Sequence, residues 1–155
     1  MTLLNNLSVG KEIVVKAGTL NGNGVTIFIA GRMWAPGGNF VAGPNGRIIA
    51  QTGANLVASA NMSFANLQVT GNAIFQNSIS AEVLRIDAGG TLNAQNAALT
   101  VNTYDNSGAA NHQTAMTVNT SFQNRAGGTF NAPTVLNLKG SMTNLGTFNA
   151  GNQLV

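Results

Sequence analysis

The sequence predicts an all-β chain folded as a single-stranded parallel β-solenoid of about 7–8 rungs, roughly triangular in section and forming one domain over residues 1–155. Three observations predict it. Pairs of apolar residues two positions apart recur along the whole length, about every 18 residues. A glycine follows most of those pairs. Half of the chain consists of four residue types, 23 Asn, 21 Ala, 19 Gly and 15 Thr, and Asn, Gly and Thr are poor helix formers. Disorder does not fit the same numbers, because 44% hydrophobic residues with only 7% charged residues favour burial over solvation.

The pairs are Leu7/Val9, Ile27/Ile29, Ile48/Ala50, Leu67/Val69, Leu84/Ile86, Leu99/Val101, Met116/Val118 and Leu136/Leu138. A period of two places both side chains on one face of a strand. Gly10, Gly31, Gly53, Gly71, Gly89 and Gly140 then turn the chain. Between successive pairs fall two more inward positions. One set is Ile13, Trp34, Leu56, Phe75, Leu92, Tyr104, Phe122 and Met142; the other is Leu20, Phe40, Met62, Ile79, Ala97, Ala110, Phe130 and Phe148. Each turn is therefore three short strands and three corners. The phrase Gly-Thr-Leu/Phe-Asn recurs at 18–21, 90–93, 128–131 and 146–149. In this register Leu92 falls on the second side while Phe130 and Phe148 fall on the third. The rung beginning at Leu99 is short, and 105–115 reads as an irregular corner. Boundaries between residues 80 and 115 therefore stay open by several residues.

Stacking equivalent residues about 4.8 Å apart accounts for the composition. Repeated charges would repel at that spacing, whereas Thr, Ser and Asn do not. Asparagine supplies corner conformations and can stack its amides into ladders. Leu67, Val69, Leu84, Ile86, Leu99 and Val101 are expected to stack inward on one side. Ile86→Asp would then cost several kcal/mol by burying a charge, while the same change at Arg85 is mild. Arg85 and Asp87 share the outer face as an ion pair.

Several function classes are disfavoured. The seven cations are scattered singly, without the clusters that release counterions from nucleic acid. There is no cysteine, which excludes disulfides and thiolate metal sites. No apolar run reaches the roughly 20 residues of a membrane span, and Asn5, Asn6, Lys11 and Glu12 interrupt any secretory pattern at the N-terminus. Glycoside hydrolysis needs two carboxyl groups flanking the bond. Of Glu12, Glu82, Asp87 and Asp105, the pair Glu82 and Asp87 is expected on opposite faces. His112, the only histidine, reads as an exposed loop residue, and Ser107, His112 and Asp105 as residues without triad geometry. No catalytic residue, cofactor or metal ligand is therefore assigned; a calcium site at Asp105/Asn106 would lack oxygens. Trp34 reads as a wedge filling the second side, or as an aromatic contact for sugars. Asn-x-Ser/Thr matches at Asn6, Asn61 and Asn119 are expected by chance. Threonine rows through Thr100 and Thr117 would continue through Phe28, Ile49 and Arg85, too irregular for ice binding.

Gly18 through Gly31 and Gly128 through Gly151 carry the phrase Gly-Thr-Leu/Phe-Asn followed by alternating apolar residues and a further glycine. With these runs the chain resembles bacterial cell-surface β-solenoids, the filamentous-haemagglutinin-like adhesins and autotransporter passengers; phage fibre proteins are similar. The resemblance implies a non-catalytic structural or adhesive protein at the cell surface or outside the cell. A virion fibre or decoration protein is the alternative, and a polysaccharide-binding or polysaccharide-cleaving β-helix is another. The expected partner is a second copy, meeting head to tail or laterally, with glycans or a host surface as further partners, and no nucleic acid or membrane insertion. Leu3, Leu4, Leu7, Leu145, Phe148 and Leu154 are the expected self-association residues, because terminal rungs without caps expose strand edges and apolar cross-sections.

Overall fold

The computed structural model describes residues 1–57, 62–94 and 96–150. Over these residues the chain is an all-β solenoid of about seven turns, with every strand pairing in parallel and no helix. The first face stacks Leu7–Val9, Thr26–Ile29 and Arg47–Ala50, then the second halves of Met62–Val69, Ile79–Ile86, Leu99–Asn106 and Ala115–Asn124, and last Ser141–Asn144. The second face stacks Glu12–Val14, Arg32–Trp34, Ala54–Val57, Asn72–Gln76, Thr91–Ala94, Ala109–His112, Thr129–Asn131 and Thr147–Asn149. The third begins with Thr19–Asn21 and Asn39–Val41, continues through the first halves of the four long strands, and closes on Val135–Leu138. Those four strands therefore bend at the corner between the third and first faces.

The inward row of the first face runs Leu7, Ile27, Ile48, Leu67, Leu84, Tyr104, Phe122, Met142. Successive members are 17 to 21 residues apart, so the irregular rung near Leu99 disappears. The sequence register holds on the first five turns, apart from Trp34, and slips by one whole face from Leu99 onward. Leu99, Met116 and Leu136 continue from Ile79 on the third face, whereas Leu84 is followed by Tyr104 and Ile86 by Asn106. Leu99 and Val101 thus do not share a side with Leu84 and Ile86. The physical reason is that all three faces have the same two-residue alternation, so periodicity cannot tell one face from the next. The slip also resolves the Gly-Thr-Leu/Phe-Asn phrases. Leu92, Ala110, Phe130 and Phe148 are one row on the second face, and only the phrase at Gly18 lies on the third.

Large and small side chains alternate within each rung of the second face. Ala54 accompanies Leu56, Ala73 accompanies Phe75, Leu92 accompanies Ala94, and Ala110 accompanies His112, all inward and buried. This pairing of large with small lets the side chains fit a narrow interior. Corners use backbone conformations that few residues accept. Asn23, Asn45 and Asn77 adopt positive φ, which Asn tolerates better than other residues with a Cβ. Gly31 has a different reason: a Cβ there would lie 1.9 Å from the Lys11 carbonyl oxygen of the rung below.

Two asparagine ladders run along the C-terminal half. The inner one replaces the aliphatic column Val9, Ile29, Ala50, Val69, Ile86 by Asn106, Asn124 and Asn144. Asn106 Nδ2 donates to Asn124 Oδ1 at 2.8 Å and to the Thr129 carbonyl at 3.1 Å; Asn124 Nδ2 donates to Asn144 Oδ1 at 2.7 Å and to the Thr147 carbonyl at 2.9 Å. Asn106 and Asn124 are fully buried, a position tolerable only because these amides are partnered. The outer ladder joins Asn72, Asn93, Asn111, Asn131 and Asn149 by successive side-chain bonds of 2.5 to 3.2 Å.

The two ladders differ in what their loss leaves behind. Asn124→Ala strands buried polar groups and is expected to lower unfolding free energy by about 2 kcal/mol. Asn131→Ala lets water replace the lost amide and should cost under about 1 kcal/mol. Urea denaturation of the two variants checks this ordering.

Candidate functional site

At the N-terminal rung, Leu7, Ile13 and Leu20 come from the first strand of each face. Residues Met1–Leu3 run beneath the third face. Asn21 N donates to the Met1 carbonyl at 2.8 Å, Leu3 N donates to the Asn21 carbonyl at 2.9 Å, and the α-ammonium group donates to the Thr19 carbonyl at 2.8 Å. Among the described residues, Leu7–Val9 and Glu12–Val14 pair on one edge only. A cavity of about 360 Å³ opens there, lined by Met1, Leu3, Leu7, Ile13, Val15 and Leu20 among others. Leu3 is itself buried in the core, while Leu4 is 81% exposed.

At the other end, Val135–Leu138, Ser141–Asn144 and Thr147–Asn149 likewise pair on one edge among the described residues. Leu145 is 71% exposed, Val135 50% and Met142 46%. Phe148 is half-buried, its ring centroid 5.2 Å from that of Phe130. Leu154 lies outside the described residues. The structure thus separates the expected self-association residues into two groups, Leu3, Leu4 and Leu7 at one end and Leu145 with Phe148 at the other. Val135 and Met142 join the second group. Sequence reasoning had counted Met142 as an inward residue of an ordinary rung, because a terminal rung carries the same pattern as an internal one.

The four carboxylates and three of the arginines are engaged on the outer surface. Arg85 Nε donates to Asp87 Oδ1 at 2.7 Å, and Gln68 Nε2 donates to Asp87 Oδ2 at 2.6 Å. Arg125 grips Asp105 through Nε at 2.5 Å and Nη2 at 2.9 Å, and this contact raises the Arg125 pKa further, the hydrogen bond first and the carboxylate charge second. Arg32 approaches Glu12 at 3.4 Å and lies 4.4 Å over the Trp34 ring. Met33, not Trp34, fills the inward position of that rung; Trp34 is half-buried on the outside. Glu82 and Asp87 both face outward, contrary to simple alternation, because the bend within Ile79–Ile86 places two consecutive residues, Glu82 and Val83, outside. Among the described residues no cluster of three or more His, Asp or Glu could hold a metal.

His112 corrects a second expectation. The 105–115 segment is strand at its centre with short corners at 107–108 and 113–114: Ala109–His112 alternates outward and inward, and His112 is only 6% exposed. Polar composition had hidden this alternation. The ring occupies the column of Ile13, Met33, Leu56, Phe75 and Ala94, with small Ala94 beside it leaving room. Its Nε2 lies 3.1 Å from the Tyr104 hydroxyl, and Nδ1 has no partner. Ser107 and Asp105 do not converge on it, since Asp105 is on the outer face with Arg125. Burial against Tyr104 and Phe130 lowers the His112 pKa to about 4, and burial raises that of Tyr104 well above its ordinary value.

A depressed histidine pKa sets a direction for acid stability. The unfolded chain binds a proton near the ordinary pKa of about 6.5, while the folded chain resists it until about pH 4. Stability is therefore expected to fall as pH drops through that window, by about 3 kcal/mol in total, and to fall less in His112→Phe. Urea titrations between the two pH values, on both proteins, check it. No protein-family model, curated protein or solved structure matches this chain, so its function has to be read from its own residues.

Proposed function

We propose that the chain is a non-catalytic structural or adhesive rod that self-associates as a subunit or segment of an extracellular fibre or surface coat. The observation that carries this reading is the pair of terminal rungs. Among the described residues, each combines strand edges paired on one side only (Leu7–Val9 and Glu12–Val14 at one end, Val135–Leu138, Ser141–Asn144 and Thr147–Asn149 at the other) with exposed apolar side chains, Leu4 at the first end and Val135, Met142 and Leu145 at the second. Open edges recruit further strands. The strands at both ends lie on the same three columns, so a second copy stacked head to tail continues the first-face and second-face ladders without a change of register, while on the third face it meets the Met1–Leu3 segment. Such a contact is heterologous and, when it translates without closing, builds a filament. The non-catalytic part of the reading is supported by the engagement of all four carboxylates, Glu12, Glu82, Asp87 and Asp105, with neighbouring side chains.

Light scattering at micromolar concentration, followed by negative-stain microscopy, tests assembly. Filaments are expected for the unaltered chain, and shorter ones for Leu145→Asp and Leu4→Asp, whose side chains contribute little to the fold. Gln113→Asp, on an exposed position away from both ends, should leave length unchanged. A monodisperse monomer would sink the reading. Turnover of a glycan that Asp105→Asn abolishes with the fold intact would overturn the non-catalytic part.

A further inference from the structure

The corner at which the long strands bend from the third face to the first carries a groove that no step of the assembly reading uses. It has a volume of about 200 Å³ and is lined by Ser63, Ser80, Glu82, Thr100, Asn102 and Phe64, among others. The outward row leading into it runs Ser63, Ser80, Thr100, Thr117, Asn137, where sequence reasoning had continued the threonine row through Phe28, Ile49 and Arg85. The hydroxyls of Ser63, Ser80 and Thr100 make no hydrogen bond within the described chain. They recur one rung apart, about 4.8 Å along the rod.

Beside this row a carboxylate is held in place. Asn102 Nδ2 donates to Glu82 Oε2 at 2.5 Å, and Asn119 Nδ2 donates to Asn102 Oδ1 at 3.1 Å. The pairing of Leu99–Asn106 with Ala115–Asn124 slips by one residue between Val101 and Thr103. Two residues, Asn119 and Thr120, thus stand opposite Asn102, the kind of bulge that re-aims a side chain. The chain Asn119 to Asn102 to Glu82 fixes one carboxylate oxygen and leaves Oε1 for a ligand.

We propose that this groove binds a neutral oligosaccharide, with sugar hydroxyls donating to Glu82 Oε1 and exchanging hydrogen bonds with Ser80 and Thr100. The lining selects that class. A single carboxylate is too few oxygens for a calcium ion. Arg85 is paired to Asp87, so Glu82 has no cation beside it to accept an acidic glycan. The hydroxyl row extends along the rod axis, which suits an elongated chain, and the volume is below the about 300–1,000 Å³ of drug-sized pockets, which suits one ring of that chain at a time. The site is independent of end-to-end assembly and stands or falls separately from it.

Saturation-transfer NMR on the full chain, with maltohexaose, cellohexaose, xylohexaose and chitohexaose as probes and a galacturonic acid oligomer as the acidic control, tests the site. At least one neutral probe is expected to bind with millimolar affinity or better, and the acidic control more weakly. Glu82→Ala and Thr100→Val, both at exposed positions, should each weaken binding roughly tenfold, with unchanged thermal midpoints as the check on folding. No transfer to any of the four neutral probes, tighter binding of the acidic oligomer, or binding untouched by both variants would overturn the proposal.

Discussion

Everything in this molecule depends on in-register parallel stacking, in which each residue lies one strand spacing above its equivalent in the turn below. That single constraint converts a one-dimensional repeat into columns of like residues. Columns of Ile, Leu and Phe inside are favourable because neighbours of the same shape interlock. Columns of Asn are favourable because an amide carries both a donor and an acceptor, so it can bond the copy above and the copy below at once. Columns of charge are not, and the chain has only 11 charged residues, several of which meet an opposite charge on the same or an adjacent rung.

The interior changes character along the rod. In the N-terminal turns the first face is aliphatic inside, with Ile27, Ile29 and Ile48 buried, and the aromatic rings Phe40 and Phe64 lie on the third face. The C-terminal turns exchange one aliphatic column for the buried asparagine ladder and fill the remainder with a stack of rings, Tyr104 parallel to Phe122 at 5.2 Å and Phe122 edge-on to Phe130 at 4.9 Å. The aromatic stack holds His112 neutral, and the Tyr104 hydroxyl gives its ring one polar partner. Shape specificity is therefore greatest in the half where polar atoms are buried, because an amide or imidazole out of place leaves unpartnered groups in a medium that cannot solvate them.

Function in such a rod is confined to what the columns leave exposed. The sides are largely self-satisfied: outer amides bond along the rod axis and ions pair with neighbours. Among the described residues, the strands of the terminal rungs keep one unpaired edge, except Thr19–Asn21, whose outer edge is taken by Met1–Leu3. At the bent corner, the one-residue slip beside Asn102 breaks the regularity of the columns and opens a groove. Both proposals arise at places where stacking is interrupted, and the regular faces between them supply spacing and stiffness.

The β-solenoid class, the three faces per turn and, apart from Trp34, the inward residues of the first five turns were determined by the sequence alone. Alternation marks which side chains point inward, and glycine and asparagine mark the corners. So was the Arg85–Asp87 pair, which needs only the two-residue period. Which face each later strand joins was decided by tertiary structure, since Leu99 and Tyr104 carry the same local pattern and differ only in the neighbours available above and below. The burial of His112 was decided the same way: its segment is as polar as a loop, and only the space beside Ala94 and the hydroxyl of Tyr104, eight residues away in sequence, make an inward imidazole acceptable. The bend that brings Glu82 outward and the slip that turns Asn119 onto Asn102 also lie beyond any local pattern, because they reconcile strands of unequal length across a corner.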